Sequence, residues 1–123
     1  MFFFDQISKL LVIKFATHLV SRNFDFAFGV LPGFGLALIS LTLFSLLVYL
    51  VKTTNNDYFL SAGFGLILGG GVSNLADRVR LGYVVDFLRF PIIPAFNLAD
   101  TAVVVGICVL LARMIKIAAK TER

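Results

Sequence analysis

The sequence predicts an all-α integral membrane protein with three to four transmembrane helices, formed by a single domain of residues 1–123. Of the 123 residues, 59% are hydrophobic and only 15% are charged, and the mean hydropathy is +0.97. Soluble domains are about half apolar and about a quarter charged. Two long stretches, residues 30–51 and 58–76, carry no charge at all. A water-soluble fold of this length could not bury so much apolar surface, so lipid is the expected solvent.

Three segments are long and apolar enough to span a membrane. As a helix, residues 30–51 would be about 33 Å long, against a hydrocarbon core of about 30 Å. Pro32 and the glycines beside it place the start of this predicted helix near residue 36, and its end at 51. The second predicted span, residues 58–75, is rich in glycine, which permits close helix contact in lipid. The third, residues 98–117, has Asp100 near its start.

The remaining segments are predicted to lie at the membrane surface or against the bundle. Residues 1–20 predict an amphipathic helix, or the exit end of a spanning helix, that packs its apolar face on the bundle. Asp5 and Lys9 are spaced i, i+4, which suits an ion pair aimed at residues 74–78. The same residues lack the features of a secretory signal. Residues 82–90 are rich in β-formers and predict a short strand that stops at Pro91 and Pro94.

Successive spans cross the membrane in opposite directions, so the polar residues that could form a site are predicted to lie at one membrane face. These residues are Asn23, Asn74, Asp77, Arg78, Asp86, Asn97 and Asp100. The opposite face carries five Lys and Arg residues, and the face with these polar residues carries four. The positive-inside rule therefore favours the opposite face as the cytoplasmic side, but only slightly. The net charge of +4 is scattered, with no basic run, which excludes a nucleic-acid partner. Cys108 and His18 are each the single residue of their type, so no thiolate metal site is expected and His18 is expected at the interface.

Asp86 and Asp100 are the candidate catalytic residues. Two close carboxylates cannot both ionise, so one supplies a base that activates water and the other an acid for the leaving amine. The alternative is two independent carboxylates, one paired with Arg78 and one capping a helix. Asn74, Asp77 and Arg78 share one helix face, either as part of a site or as an interfacial cap. A proton-relaying transporter is a further alternative, and it predicts carboxylates near mid-span.

Taken together, five ordered motifs resemble lipoprotein signal peptidase, also called signal peptidase II, over nearly the whole chain. They are Asp5-Gln-Ile-Ser-Lys9, Asn23 with Ala27-Phe28-Gly29, Gly70-Gly71 leading into Asn74-Leu-Ala-Asp-Arg78, Gly82-Tyr-Val-Val-Asp-Phe87, and Pro94-Ala-Phe-Asn-Leu-Ala-Asp100. Compared with the family's pattern, the chain is shorter before Asp5 and between Lys9 and Asn23. Asp25 and Phe26 stand where Gly and Ala are expected, and a catalytically degenerate member is therefore a second hypothesis.

The resemblance implies an aspartic endopeptidase with Asp86 and Asp100 as its catalytic pair. The residues implied to orient the pair and the substrate are Asn74, Asp77, Arg78 and Asn97, with support from Asp5, Lys9 and Asn23. The implied substrate is a prolipoprotein whose cysteine carries diacylglycerol, cut just before that cysteine. The implied location is the bacterial cytoplasmic membrane, multi-pass, with a small β-cradle and the active site toward the extracytoplasmic face. Membrane lipid is the expected partner, and no metal or other cofactor is implied.

Overall fold

The computed structural model of the chain describes residues 1–24, 48 and 57–121. Within them the chain is mostly helical and carries two small sheets, in agreement with the predicted class. The predicted span at residues 36–51 lies outside the described residues. The elements, in chain order, are helix α1 (Phe2–Phe15), a 3₁₀ turn (Thr17–Leu19), strand β1 (Ser21–Asn23), helix α2 (Tyr58–Leu81), strands β2 (Val84–Asp86), β3 (Leu88–Phe90) and β4 (Ile93–Phe96), and helix α3 (Leu98–Thr121).

Helices α2 and α3 are the two described segments long and apolar enough to cross a membrane, and both were predicted as spans. Each has 24 residues, which corresponds to about 36 Å of helix. Helix α2 runs six residues further than the predicted end at 75, because the chain stays helical until Gly82. Gly82 adopts the left-handed conformation, with φ 78°, and its N–H donates to the carbonyl of Arg78 at 3.0 Å.

Glycines let the backbones of α2 and α3 touch, as the glycine-rich second span predicts. A Cβ atom at Gly106 would lie 2.7 Å from the carbonyl oxygen of Gly63, and one at Gly70 would collide with the carbonyl oxygen of Ala99. Lipid tails are as apolar as leucine, so helices in a membrane gain from close packing rather than from hiding apolar surface. This contact brings residues 70–78 of α2 beside the start of α3.

Helix α1 presents its polar side to the protein and its apolar side outward. Its buried residues are Asp5 and Lys9, whereas Phe3 and Phe4 are 75% and 74% exposed. The prediction that its apolar face packs on the bundle is therefore wrong. In lipid the phenylalanines are best placed against acyl chains, and the charged residues are best placed against one another. The prediction that Asp5 and Lys9 point at residues 74–78 is confirmed for Lys9, which contacts Asn74 and Asp77. Asp5 instead accepts from Ser73, one residue before that range, and from Ala99.

Four short strands connect the helices at one end of the bundle. Strand β1 pairs antiparallel with β2, with Arg22 opposite Val85, and β2 is buried along its whole length. Strands β3 and β4 form an antiparallel hairpin. The prediction that the strand stops at Pro91 and Pro94 is wrong for Pro94, which lies within β4. The pairing shifts between Leu88 and Phe90, so Pro94 falls at an irregularity where a missing N–H is tolerated.

Asp57 and Arg113 tie α2 to α3 at the opposite end. The Asp57 carboxylate accepts from the N–H groups of Phe59 and Leu60 and lies 2.6 Å from Nε of Arg113. Burial alone would raise the pKa of Asp57, but the hydrogen bond from Arg113, the two N–H groups and the charge of Arg113 outweigh it and lower the pKa. The charged carboxylate is therefore the form that stabilises the fold.

Asp57→Asn is expected to lower the stability at neutral pH, since asparagine still caps the helix but loses the charge opposite Arg113. A lowered pKa stabilises the fold above the ordinary carboxyl range, and this stability is lost as the pH falls through the lowered value. Unfolding in mixed detergent, followed at neutral and acid pH, measures the difference in stability between wild type and variant. The gap between wild type and variant should close in acid, and Lys120→Gln serves as a surface control. A gap that persists in acid would rule out the charge as its cause.

Candidate active site

Asp86 ends strand β2 and is buried, at 2% exposure. Its two oxygens accept from two amides: Oδ2 from Nδ2 of Asn23 at 2.9 Å and Oδ1 from Nδ2 of Asn97 at 2.7 Å. Asn23 lies opposite Val84 in the β1–β2 pair. Because side chains alternate along a strand, Val84 and Asp86 share a face, and Asn23 reaches Asp86 diagonally. The pairing of two three-residue strands thus fixes this carboxylate.

Asp100 lies in the first turn of α3 and exchanges hydrogen bonds with Asn97. Its Oδ2 accepts from the backbone N–H of Asn97 at 3.1 Å, and its own N–H donates to Oδ1 of Asn97 at 3.0 Å. This reciprocal arrangement is a capping box. The helix-capping role considered for one carboxylate is therefore real for Asp100. The other oxygen, Oδ1, accepts from Nδ2 of Asn74 at 2.8 Å, so the carboxylate is held in one orientation.

Asn97 joins the two carboxylates. Its side-chain amide donates to Asp86 while its backbone N–H donates to Asp100, and the residue is fully buried. The same Nδ2 lies 3.1 Å from Oδ1 of Asn74, whose own Nδ2 bonds Asp100. The structure thus links Asp86 to Asp100 through Asn97, and Asn74 bonds both Asn97 and Asp100.

Burial raises the pKa of Asp86 above the ordinary carboxyl value. The hydrogen bonds from Asn23 and Asn97 and the charge of Lys9 lower this pKa, while the nearby charge of Asp100 raises it, and the net direction is upward. A carboxyl that accepts two amide hydrogen bonds is usually stabilised in its ionised form. Here desolvation is the stronger effect, so Asp86 keeps a proton to higher pH than an exposed aspartate.

Lys9 lies behind Asn74 and is saturated by three acceptors. Its Nζ is 2.6 Å from Oδ2 of Asp5, 2.8 Å from Oδ2 of Asp77 and 3.1 Å from Oδ1 of Asn74. An ammonium group has three protons and cannot accept a hydrogen bond. The Asn74 amide must therefore turn its oxygen to Lys9, which leaves its NH₂ group facing Asp100.

Two further residues support this layer and are absent from the predicted site. Ser73 donates from Oγ to Asp5 at 2.6 Å, and Gln6 donates from Nε2 to Asp77 at 2.8 Å. Only their positions in the sequence could have indicated these two residues, because Gln6 follows Asp5 directly and Ser73 lies one helical turn before Asp77. The remaining oxygen of Asp5 accepts from the N–H of Ala99 at 2.9 Å, which ties α1 to the start of α3.

Arg78 is partly buried on the same face of α2. Its Nη1 donates to the backbone oxygen of Asn74 at 3.3 Å, and its charge acts on Asp77, Asp86 and Asp100. All nine predicted site residues thus lie in one connected polar cluster. Across residues 1–24, 48 and 57–121, no group of three or more His, Cys, Asp or Glu side chains is arranged to hold a metal ion.

Comparison with known proteins gives a consistent result. A family model described as signal peptidase (SPase) II matches residues 1–116. The lipoprotein signal peptidase of Halothermothrix orenii is 42% identical, with 87% of this chain and 84% of that protein covered. The corresponding protein of Chlorobaculum tepidum is 37% identical, with 86% and 83% covered. A solved structure described as a bacterial membrane enzyme superposes with a TM-score of 0.80 at 26% identity and covers 96% of this chain and 84% of its own.

Proposed function

The chain belongs to the signal peptidase II family, and we propose that it is a membrane aspartic endopeptidase that cuts diacylglyceryl-modified prolipoproteins just before the modified cysteine. The observation that carries the aspartic assignment is the Asn97 amide, which bonds Asp86 while the Asn97 backbone bonds Asp100. A buried carboxyl and a half-buried one, both held by one residue, form a unit that can share a proton. Removal of signal peptides from prolipoproteins is the activity of the family.

In the proposed reaction Asp86 carries the shared proton and Asp100 is the base. Asp100 accepts a proton from a water molecule, whose oxygen forms a bond to the carbonyl carbon of the scissile peptide. The carbon–nitrogen bond then breaks, and the leaving nitrogen takes the proton held by Asp86. One proton again remains on the pair, so the cycle can repeat. Burial raises the pKa of Asp86, which supports this division of roles, because an acid must hold its proton at the working pH.

The surrounding residues are proposed to position the pair and the substrate. Asn97 and Asn74 hold the two carboxylates, and Lys9 fixes the Asn74 amide. Asp77 and Asp5 neutralise Lys9 and orient it. Asn23 holds Asp86 from strand β1. Arg78, near both carboxylates, is proposed to bind the substrate backbone.

We propose a multi-pass topology in the bacterial cytoplasmic membrane, with three to four spans and one domain. Asp86 and Asp100 lie at the end of the bundle that carries the strands, opposite Asp57 and Arg113. That end would face the extracytoplasmic side, where strands β1–β4 would form the substrate cradle. A proton-relaying transporter is disfavoured, because its carboxylates belong near mid-span and Asp100 lies in the first turn of α3.

Cleavage in water enriched in ¹⁸O tests the mechanism. Direct attack by water places one ¹⁸O atom in the new carboxyl group of the released signal peptide and leaves the enzyme unlabelled after many turnovers. Mass spectrometry of the peptide and of enzyme fragments containing Asp86 and Asp100 measures both. Label in either aspartate would show that it attacks the substrate covalently, and would overturn the proposed roles.

Asn23→Ala is expected to move the alkaline limb of the pH–rate profile to higher pH. The hydrogen bond from Asn23 lowers the pKa of Asp86, so its removal raises that pKa further. Because Asp86 acts in its protonated form, cleavage is lost as the pH rises through this pKa, and the loss should come later in the variant. Ser21→Ala, on the same strand, is the matched control. A limb that stays in place or moves to lower pH would contradict the assignment of Asp86 as the acid.

A further inference from the structure

The tip of the β3–β4 hairpin exposes an apolar surface. Ile92 is 93% exposed, Phe90 58% and Ile93 53%, and Pro91 beside them is also exposed. Phe90 stacks on Phe96 of the facing strand, with 5.8 Å between ring centroids, which holds the tip together. Contiguous apolar groups on a surface mark a site of interaction with a protein or a membrane.

The position of the hairpin favours lipid as the partner. Its first strand begins two residues after Asp86, and its second ends two residues before Leu98, where α3 begins. Strands of three and four residues reach about 10–13 Å from that base. That reach exceeds the headgroup layer on each side, which is only about 5–8 Å thick, so a hairpin turned toward the bilayer would reach the acyl chains. At the same end, the last turn of α2 exposes Val79 and Leu81, at 80% and 42%.

The charge composition of the hairpin also favours lipid as the partner. Residues 87–96 contain one charged residue, Arg89, which is exposed, and they contain no acidic residue. An arginine beside an apolar tip can keep its guanidinium at phosphate level while its neighbours lie among acyl chains. An acidic residue would have been costly to insert at that depth.

We propose that the hairpin tip, residues 90–93, inserts into the membrane leaflet on the side of Asp86 and Asp100, with Arg89 at the level of the lipid phosphates. The tip would then act as an anchor that fixes the height of the carboxylates above the acyl chains. A substrate whose cysteine is tethered to lipid arrives at that height. The insertion itself follows from the exposed tip and does not depend on catalysis.

The chain contains no tryptophan, so Ile92→Trp creates a single fluorescent reporter at the tip. The full-length variant is reconstituted in vesicles of phosphatidylglycerol and phosphatidylcholine. Quenching is measured with lipids brominated near the top of the acyl chain and, separately, with iodide in the buffer. Insertion predicts a blue-shifted emission, strong quenching by the brominated lipid and protection from iodide. Ile107→Trp, an exposed position in the middle of α3, provides the lipid-facing reference.

Two outcomes would overturn the proposal. Quenching by iodide with no response to brominated lipid would place the tip in water. Protection from both quenchers would show that protein covers the tip, whether from the same chain or from a second copy. Thermal melting in detergent verifies the fold of each variant, and Phe90→Trp repeats the measurement if Ile92→Trp does not fold.

Discussion

Asp86→Asn and Asp100→Asn are each expected to abolish cleavage of a lipid-modified precursor, with a loss on the order of 10⁴-fold in rate. Each carboxylate has a separate task, one as the acid and one as the base, and neither can do both. Members of such a unit are not additive, so the double variant should be no slower than either single variant. Initial rates of the purified variants in lipid, beside wild type, measure the effect.

The two substitutions should leave the fold in place, because asparagine has nearly the same size and remains polar. Asp57→Asn, at the far end of the bundle, is the matched control. Although it is less stable at neutral pH, its folded fraction should cleave at the wild-type rate, because Asp57 bonds the first turn of α2 and Arg113 rather than Asp86 or Asp100. Circular dichroism and detergent unfolding verify each variant. Independent structural carboxylates would behave differently: each substitution would lower stability, and activity would survive in proportion to the folded fraction.

Lys9→Met is expected to cause the largest loss of stability, about 3–5 kcal/mol, the typical cost of breaking a buried ion pair. Lys9 is 2% exposed, and Asp5 and Asp77 beside it are 0% and 3% exposed. Methionine fills the space of the side chain but leaves two buried negative charges without the opposite charge of Lys9. Unfolding of the reconstituted protein by a graded detergent mixture measures the change.

Lys14→Met provides the matched control, because Lys14 lies on the same helix with its side chain exposed. Its effect should be small. Adding Asp5→Asn to Lys9→Met should recover part of the lost stability, since one of the two uncompensated charges is then removed. If Lys9→Met is as stable as Lys14→Met, the Lys9 cluster contributes packing rather than charge compensation.

Features that depend on neighbouring residues in the chain could be predicted from the sequence. The apolar runs at residues 58–75 and 98–117 predict membrane spans by their length and composition, and the i, i+4 spacing of Asp5 and Lys9 predicts their ion pair, which measures 2.6 Å. The outward apolar face of α1 was not predicted, because the expectation that an apolar helix face packs on the protein assumes that the helix is surrounded by water. The same helix in lipid turns its phenylalanines out and its charges in.

Other features depend on three-dimensional contacts that spacing does not reveal. Strand β4 was missed because Pro94 ordinarily ends a strand, and only the irregular pairing with β3 accommodates it. The capping box places Asp100 beside Asn97, but the bond from Asn97 to Asp86 requires the β2 strand to return to the same point. Gln6 and Ser73 carry no signal strong enough to separate them from other polar residues in helices.

The most direct measurement is cleavage of a diacylglyceryl-modified lipoprotein precursor by the purified wild-type chain in lipid, with mass spectrometry of both products. An aspartic pair formed by Asp86 and Asp100 predicts a new N-terminus at the modified cysteine, no cut in a precursor without the lipid, and no product from the double variant. Failure of a folded wild-type protein to cleave would contradict the peptidase function and favour a degenerate member of the family. Cleavage by the folded double variant would contradict the catalytic pair.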